Sequence, residues 1–153
     1  MMQVIRGKIG KMGMQTVWDH IRLAADRTPS HIAVVDDQST RTLTFSDLIY
    51  EVECAAAGLA AVGLKPGQYV GTVLPNVLQH VIAILALHRL GAVVCMINPR
   101  LKPNEAGKLI ADARMSGVVC VSDEGIVTAA RAALPEDAPI LIVGGPAESD
   151  DAF

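Results

Sequence analysis

The chain has 153 residues, 51% of them apolar and only 3% aromatic, which suits a single domain whose core is filled by Val, Ile, Leu and Ala. A net charge of −3, with no basic run beside aromatics, argues against nucleic acid as the main partner. No apolar run reaches the roughly 18 residues of a membrane span, because His88, Arg89 and Gly91 interrupt the longest one, so a soluble, cytoplasmic protein is expected.

Residues 1–13, MMQVIRGKIGKMG, carry Arg6, Lys8 and Lys11 and no acid, yet lack the continuous apolar core of a secretory signal. They are expected to form a mobile basic tail, with Met14 as an alternative start and an α/β unit over 14–153. Helical periodicity begins there and gives a short amphipathic helix over Val17–Ala25, ended by Thr28-Pro29. Ile32–Asp36 and Arg41–Thr44 read as a hairpin around the polar Asp37-Gln38-Ser39. Thr44 followed by Asp47 resembles a capping box, and Leu48, Val52, Ala55, Leu59 and Val62 form one apolar stripe along the helix it opens. Gly63 stops that helix, and Lys65-Pro66-Gly67 turns the chain into a buried strand over Tyr69–Leu74.

Leu78–Leu90 is apolar on nearly every side, a pattern that requires burial from several directions. Gly91 ends it, Ala92–Ile97 is the next strand, and Asn98-Pro99-Arg100-Leu101-Lys102 is a basic loop. Pro103 suits the first turn of another helix and Glu105 its positive end, whereas Gly107 weakens that helix by roughly 1 kcal/mol relative to Ala. Val118–Val121, Glu124–Leu134 and Ile140–Val143 complete the alternation before Gly144-Gly145-Pro146. Short β-branched strands alternating with helices predict a mostly parallel sheet flanked by helices.

Few residues offer chemistry of their own. Cys54, Cys95 and Cys120 are odd in number, widely spaced and set in apolar patterns, so they read as reduced, buried core residues. His80 and His88 share a helix but stand too far round it to ligate one metal, and His20 and His31 lack partners. Ser46, Ser116, Ser122 and Ser149 lack a nucleophile elbow. Asp36-Asp37 and Asp150-Asp151 sit in turn-like settings, and Gly144-Gly145 lacks the third glycine and the helix of a nucleotide loop. No catalytic residue and no metal site is assigned. Arg100 and Lys102 differ, because they put positive charge just beyond the carboxyl end of a predicted strand, where open α/β sheets bind ligands.

Thr44-Phe45-Ser46-Asp47-Leu48, Gly63-Leu64-Lys65-Pro66-Gly67, Leu74-Pro75-Asn76, Ala92-Val93-Val94 and Asn98-Pro99-Arg100, in this order, resemble the amino-terminal subdomain of the AMP-forming acyl-CoA synthetases. IAILALHRLGAV followed by NPRLK is most similar to aryl-CoA ligases of the chlorobenzoate and benzoate type. Gln68 and Ala106-Gly107 depart from the usual pattern. The resemblance implies a parent enzyme that uses ATP, Mg and CoA to turn a small-molecule carboxylate into an acyl-adenylate and then a thioester. It also implies that Arg100 contacts a phosphate of CoA, with Lys102 beside it. The phosphate loop and the assisting lysine of such enzymes come later in the chain than any segment here, so the chain alone is expected to be inactive, to bind none of these ligands tightly and to self-associate through an open apolar face. A stand-alone, non-catalytic α/β binding or interaction module is the alternative.

Overall fold

The computed structural model describes residues 16–37 and 40–144. The expected basic tail over 1–13, the hairpin residues Gln38-Ser39 and everything from Gly145 onward lie outside them. Eleven elements follow in order: α1 (Val17–Arg27), β1 (Ile32–Asp36), β2 (Arg41–Thr44), α2 (Phe45–Ala61), β3 (Tyr69–Val73), α3 (Leu78–Leu90), β4 (Val93–Met96), α4 (Pro103–Asp112), β5 (Gly117–Val121), α5 (Glu124–Ala133) and β6 (Ile140–Val143).

Local chemistry sets the helix ends. At the start of α2 the Asp47 carboxylate accepts the Thr44 backbone N–H at 3.0 Å, while Thr44 Oγ1 accepts the Asp47 N–H at 3.2 Å. Thr16 and Asp19 repeat this reciprocal pair at the start of α1, so two otherwise orphaned donors are satisfied at each terminus. These hydrogen bonds hold both carboxyls below the ordinary carboxylate value. At the end of α3, Gly91 adopts φ +83°, a left-handed conformation that costs a glycine little. A Cβ there would lie 3.3 Å from Pro66 Cβ.

The four later strands form a parallel sheet in the order β4-β3-β5-β6, and β1 and β2 pair separately as an antiparallel hairpin. The β3–α3–β4 connection steps one way along the sheet and β4–α4–β5 returns past β3. Consistent with right-handed crossovers, α3 therefore covers one face while α4 and α5 cover the other. Two cores result. Val70, Val119 and Leu141 pack with Leu48, Val52 and Leu87 on the first face. Val73, Val118 and Cys120 pack with Ile110 and Ile126 on the second. Each fully buried Leu, Ile or Val stabilises the fold by roughly 1.5–3 kcal/mol through transfer out of water.

The expected strands and helices all form, with differences that have physical causes. Helix α1 continues to Arg27, since Thr28 Oγ1 donates to the Ala24 carbonyl at 3.1 Å and closes the last turn. Of the α2 stripe, Leu48, Val52, Ala55 and Leu59 are buried but Val62, in the closing turn, is exposed. Strand β4 is at an edge, so Val93 and Met96 are exposed, and Tyr69 beside them is half exposed. The reading of three buried cysteines fails at Cys54, which is exposed; Cys95 is intermediate and Cys120 buried. Cys54 follows Val52 on α2 and precedes Ala55, at the margin of the stripe.

Gly107 gains a reason for its place. A Cβ there would meet the Cβ and the carbonyl oxygen of Ala129, both at 3.3 Å, so the glycine lets α4 lie close against α5.

Candidate functional site

The strand order reverses around β3, so the switch point of the sheet lies at the carboxyl ends of β3 and its neighbours β4 and β5. Loops leaving that edge diverge to opposite faces, and the carboxyl edge at such a point is the usual ligand position in open α/β sheets. Two of these loops are well defined.

The first leaves β4. Ile97 is buried and anchors it. The Asn98 side-chain oxygen then accepts the Arg100 N–H at 2.9 Å, and the Asn98 carbonyl accepts the Leu101 N–H at 3.1 Å. Pro99 occupies the second position of this turn, where its fixed φ is favourable. Glu105 accepts the Lys102 N–H at 3.0 Å, and Pro103 opens α4. The backbone is thus held by four consecutive local constraints, whereas Arg100 and Lys102 are exposed. Neither has a side-chain partner for its charge among the described residues. A guanidinium on a fixed turn, unpaired, is the donor set that a phosphate group requires, because its planar fork can engage two oxygens.

The second loop, Leu74-Pro75-Asn76-Val77, joins β3 to α3. Leu74 is buried, and the Pro75 carbonyl accepts the Val77 N–H at 2.9 Å. His80 reaches back to this loop: Nδ1 lies 3.2 Å from the Pro75 carbonyl oxygen and Nε2 lies 3.2 Å from Thr72 Oγ1. The sequence places His80 on a helix but gives no sign of this double contact, because it depends on how α3 folds back over β3.

On the face covered by α2 and α3 there is also a groove of about 360 Å³, walled by Tyr50 and Cys54 from α2, Gln79 and Ile82 from α3, and Val119 and Val143 from the sheet. Its lining comes from five elements spread along the sequence, so it has no linear signature. At its rim Arg41 and Glu51 form an ion pair, and a second pair, Arg89 Nε with Glu53 Oε1 at 3.0 Å, ties α3 to α2.

The other candidates among the described residues form no catalytic arrangement. Burial pushes the Cys95 thiol up, and burial together with the negative charge of Asp123 pushes Cys120 up to about 11, so neither presents a thiolate at neutral pH. Among the described residues no three His, Cys, Asp or Glu side chains converge on a metal position, and no helix is long and apolar enough to cross a membrane. The His20, His31, Ser46, Ser116 and Ser122 side chains form no nucleophile–base pair.

Comparison with known proteins bears on the family and the fold. The family of AMP-binding enzymes matches residues 21–152. A 4-chlorobenzoate–CoA ligase of Arthrobacter is 38% identical over 112 residues, covering 73% of this chain and 22% of the relative. Its counterpart from Pseudomonas strain CBS-3 is 37% identical over 123 residues, covering 80% and 23%. The chain therefore spans less than a quarter of the length of these two relatives. Among solved structures, the N-terminal domain of FACL13 from Mycobacterium tuberculosis superposes with a TM-score of 0.76 at 23% identity, over 84% of this chain and 34% of that one. O-succinylbenzoate CoA synthetase from Bacillus subtilis, in complex with AMP, gives 0.72 at 22%, over 84% and 31%. At these identities the superpositions establish the fold.

Proposed function

The chain belongs to the AMP-binding enzyme family, and from that membership we propose that it forms the amino-terminal part of an ATP-dependent, AMP-forming ligase that joins an aromatic carboxylate to CoA. The observation that carries the reading is the identity, across most of this chain, to 4-chlorobenzoate–CoA ligases from two genera. In the reaction, a carboxylate oxygen attacks the α-phosphorus of ATP and pyrophosphate leaves. The CoA sulfur then attacks the acyl carbon, its proton is lost, and AMP departs.

Within this scheme the described residues bind and position. Arg100 receives a phosphate of the CoA nucleotide at the carboxyl edge of the sheet, and Lys102 adds positive charge on the same rigid loop. The fit is chemical: a phosphate needs cationic donors that are unpaired beforehand, and Arg100 is one. The cradle for the ATP phosphates and the ligands of Mg belong, in this reading, to other parts of the ligase, since phosphoryl chemistry requires backbone donors and cations converging on the phosphates. The 153-residue chain by itself is accordingly inactive.

The test is direct. The full-length gene product, given ATP, Mg, CoA and a panel of substituted benzoates, should form a thioester with one AMP and one pyrophosphate released per turnover. Release of ADP and phosphate, or selective activation of long aliphatic acids over every benzoate, would overturn the aryl-CoA ligase reading.

A further inference from the structure

Thr72 stands out as a buried polar side chain, 0% exposed in the central strand β3. Among the described residues its hydroxyl has one partner, Nε2 of His80 at 3.2 Å, and Nδ1 of the same ring meets the Pro75 carbonyl oxygen at 3.2 Å. A carbonyl can only accept, so Nδ1 carries the proton; in the neutral ring Nε2 then accepts from the Thr72 hydroxyl. The backbone of Thr72 continues the connection, since its carbonyl accepts the Ile97 N–H at 2.9 Å. Ile97 is the residue before Asn98-Pro99-Arg100. Hydrogen bonds joined through the covalent frame of Thr72 thus run from the β3–α3 turn by way of His80 to the root of the Arg100 loop.

We propose that His80 is a positioning residue which, by holding Thr72 and Pro75 at once, fixes the β3–α3 turn relative to the Arg100 loop and so sets the geometry in which CoA is bound. The proposal rests on the ligase reading above. In this role His80 need not contact any substrate. It acts through the two carboxyl-end loops, and a small misplacement of a binding group is enough to weaken a charge-assisted contact. Leaving the Thr72 hydroxyl buried without an acceptor would also disturb the strand from which both loops spring.

Two measurements test it. Two-bond ¹⁵N–¹H NMR on the 153-residue chain should show His80 protonated at Nδ1 and bare at Nε2 near neutral pH. A dominant Nε2–H tautomer overturns the clamp whatever the enzyme does. In the full-length ligase, His80→Leu should raise the KM for CoA about three- to tenfold while pyrophosphate–ATP exchange stays within about twofold. Thr72→Val should give the same split, Thr72→Ser should restore the wild-type KM, and the double variant His80→Leu/Thr72→Val should be no worse than either alone. Equal losses in exchange and thioester formation, or strictly additive effects, would show that the pair merely supports the core. A wild-type enzyme without exchange activity would instead defeat the ligase reading, leaving the tautomer result to decide the clamp.

Discussion

If Arg100 has the proposed role, replacing it by Ala should separate CoA binding from the first half of the reaction. The guanidinium is exposed and makes no side-chain bond among the described residues, so truncation should leave stability within about 0.5 kcal/mol of wild type. In the proposed role it would remove one charge-assisted hydrogen bond to a phosphate, worth about 1.5–3 kcal/mol in general. Because Arg100 sits in solvent, screening places the loss at the lower end. At about 1.4 kcal/mol per factor of ten, the KM for CoA should rise about tenfold. Arg100→Lys keeps the charge but loses the planar fork and should cost about threefold. The assay is steady-state thioester formation at varied CoA, alongside pyrophosphate–ATP exchange without CoA, which should change less than about twofold. The wild-type KM should also climb with ionic strength more steeply than that of Arg100→Ala. A parallel fall in exchange, or an unchanged KM for CoA, would refute the assigned role.

Gly107→Ala sets about 1 kcal/mol of gained helix propensity against a new Cβ placed 3.3 Å from both the Cβ and the carbonyl oxygen of Ala129. Overpacking of this kind costs about 1–3 kcal/mol, so net destabilisation near 1 kcal/mol is expected in urea unfolding, and a gain would show that α5 yields freely. Asp19 and Asp47 have carboxyls held below their ordinary value by the Thr16 and Thr44 hydrogen bonds. They should stabilise the fold fully above that ordinary value and progressively less as pH falls through their depressed folded values. Thermal unfolding of an Asp19→Asn/Asp47→Asn variant between pH 6 and 2 should therefore show a flatter acid limb than wild type; superimposable limbs would contradict this. In native protein Cys54 should react with a thiol reagent at pH 8, Cys95 slowly and Cys120 only on unfolding, so rapid native labelling of all three would be inconsistent with the fold.

Much of the architecture is written locally. Thr44 and Asp47 announce the start of α2, the all-round apolar run from Leu78 to Leu90 fixes α3 to the residue, and Gly91 marks its end because only a left-handed turn lets the chain enter β4 there. Arg100 stands out in the sequence by its charge just beyond the carboxyl end of a predicted strand and by the Asn98-Pro99-Arg100 resemblance, and its CoA role stays a proposal. Features set by strand order or by contact at a distance were not legible. Nothing local says that β4 is an edge, so the apolar run Ala92–Ile97 carries no sign that the sheet leaves Val93 and Met96 bare. The groove and the exposure of Cys54 at its wall depend on the way α2 and α3 lie over β5 and β6. The Thr72–His80–Pro75 contact joins a strand, a turn and a helix whose relative tilt is fixed only by the packed core.

The central claim is that this chain is one part of an AMP-forming ligase whose phosphate chemistry lies elsewhere in the enzyme. It is tested most directly by isotope exchange between pyrophosphate and ATP with benzoate-type acids, run side by side on the full-length gene product and on the 153-residue chain. The full-length protein should show carboxylate-dependent exchange and the chain alone none. Exchange by the chain alone, or its absence from the full-length protein with every carboxylate tried, would contradict it.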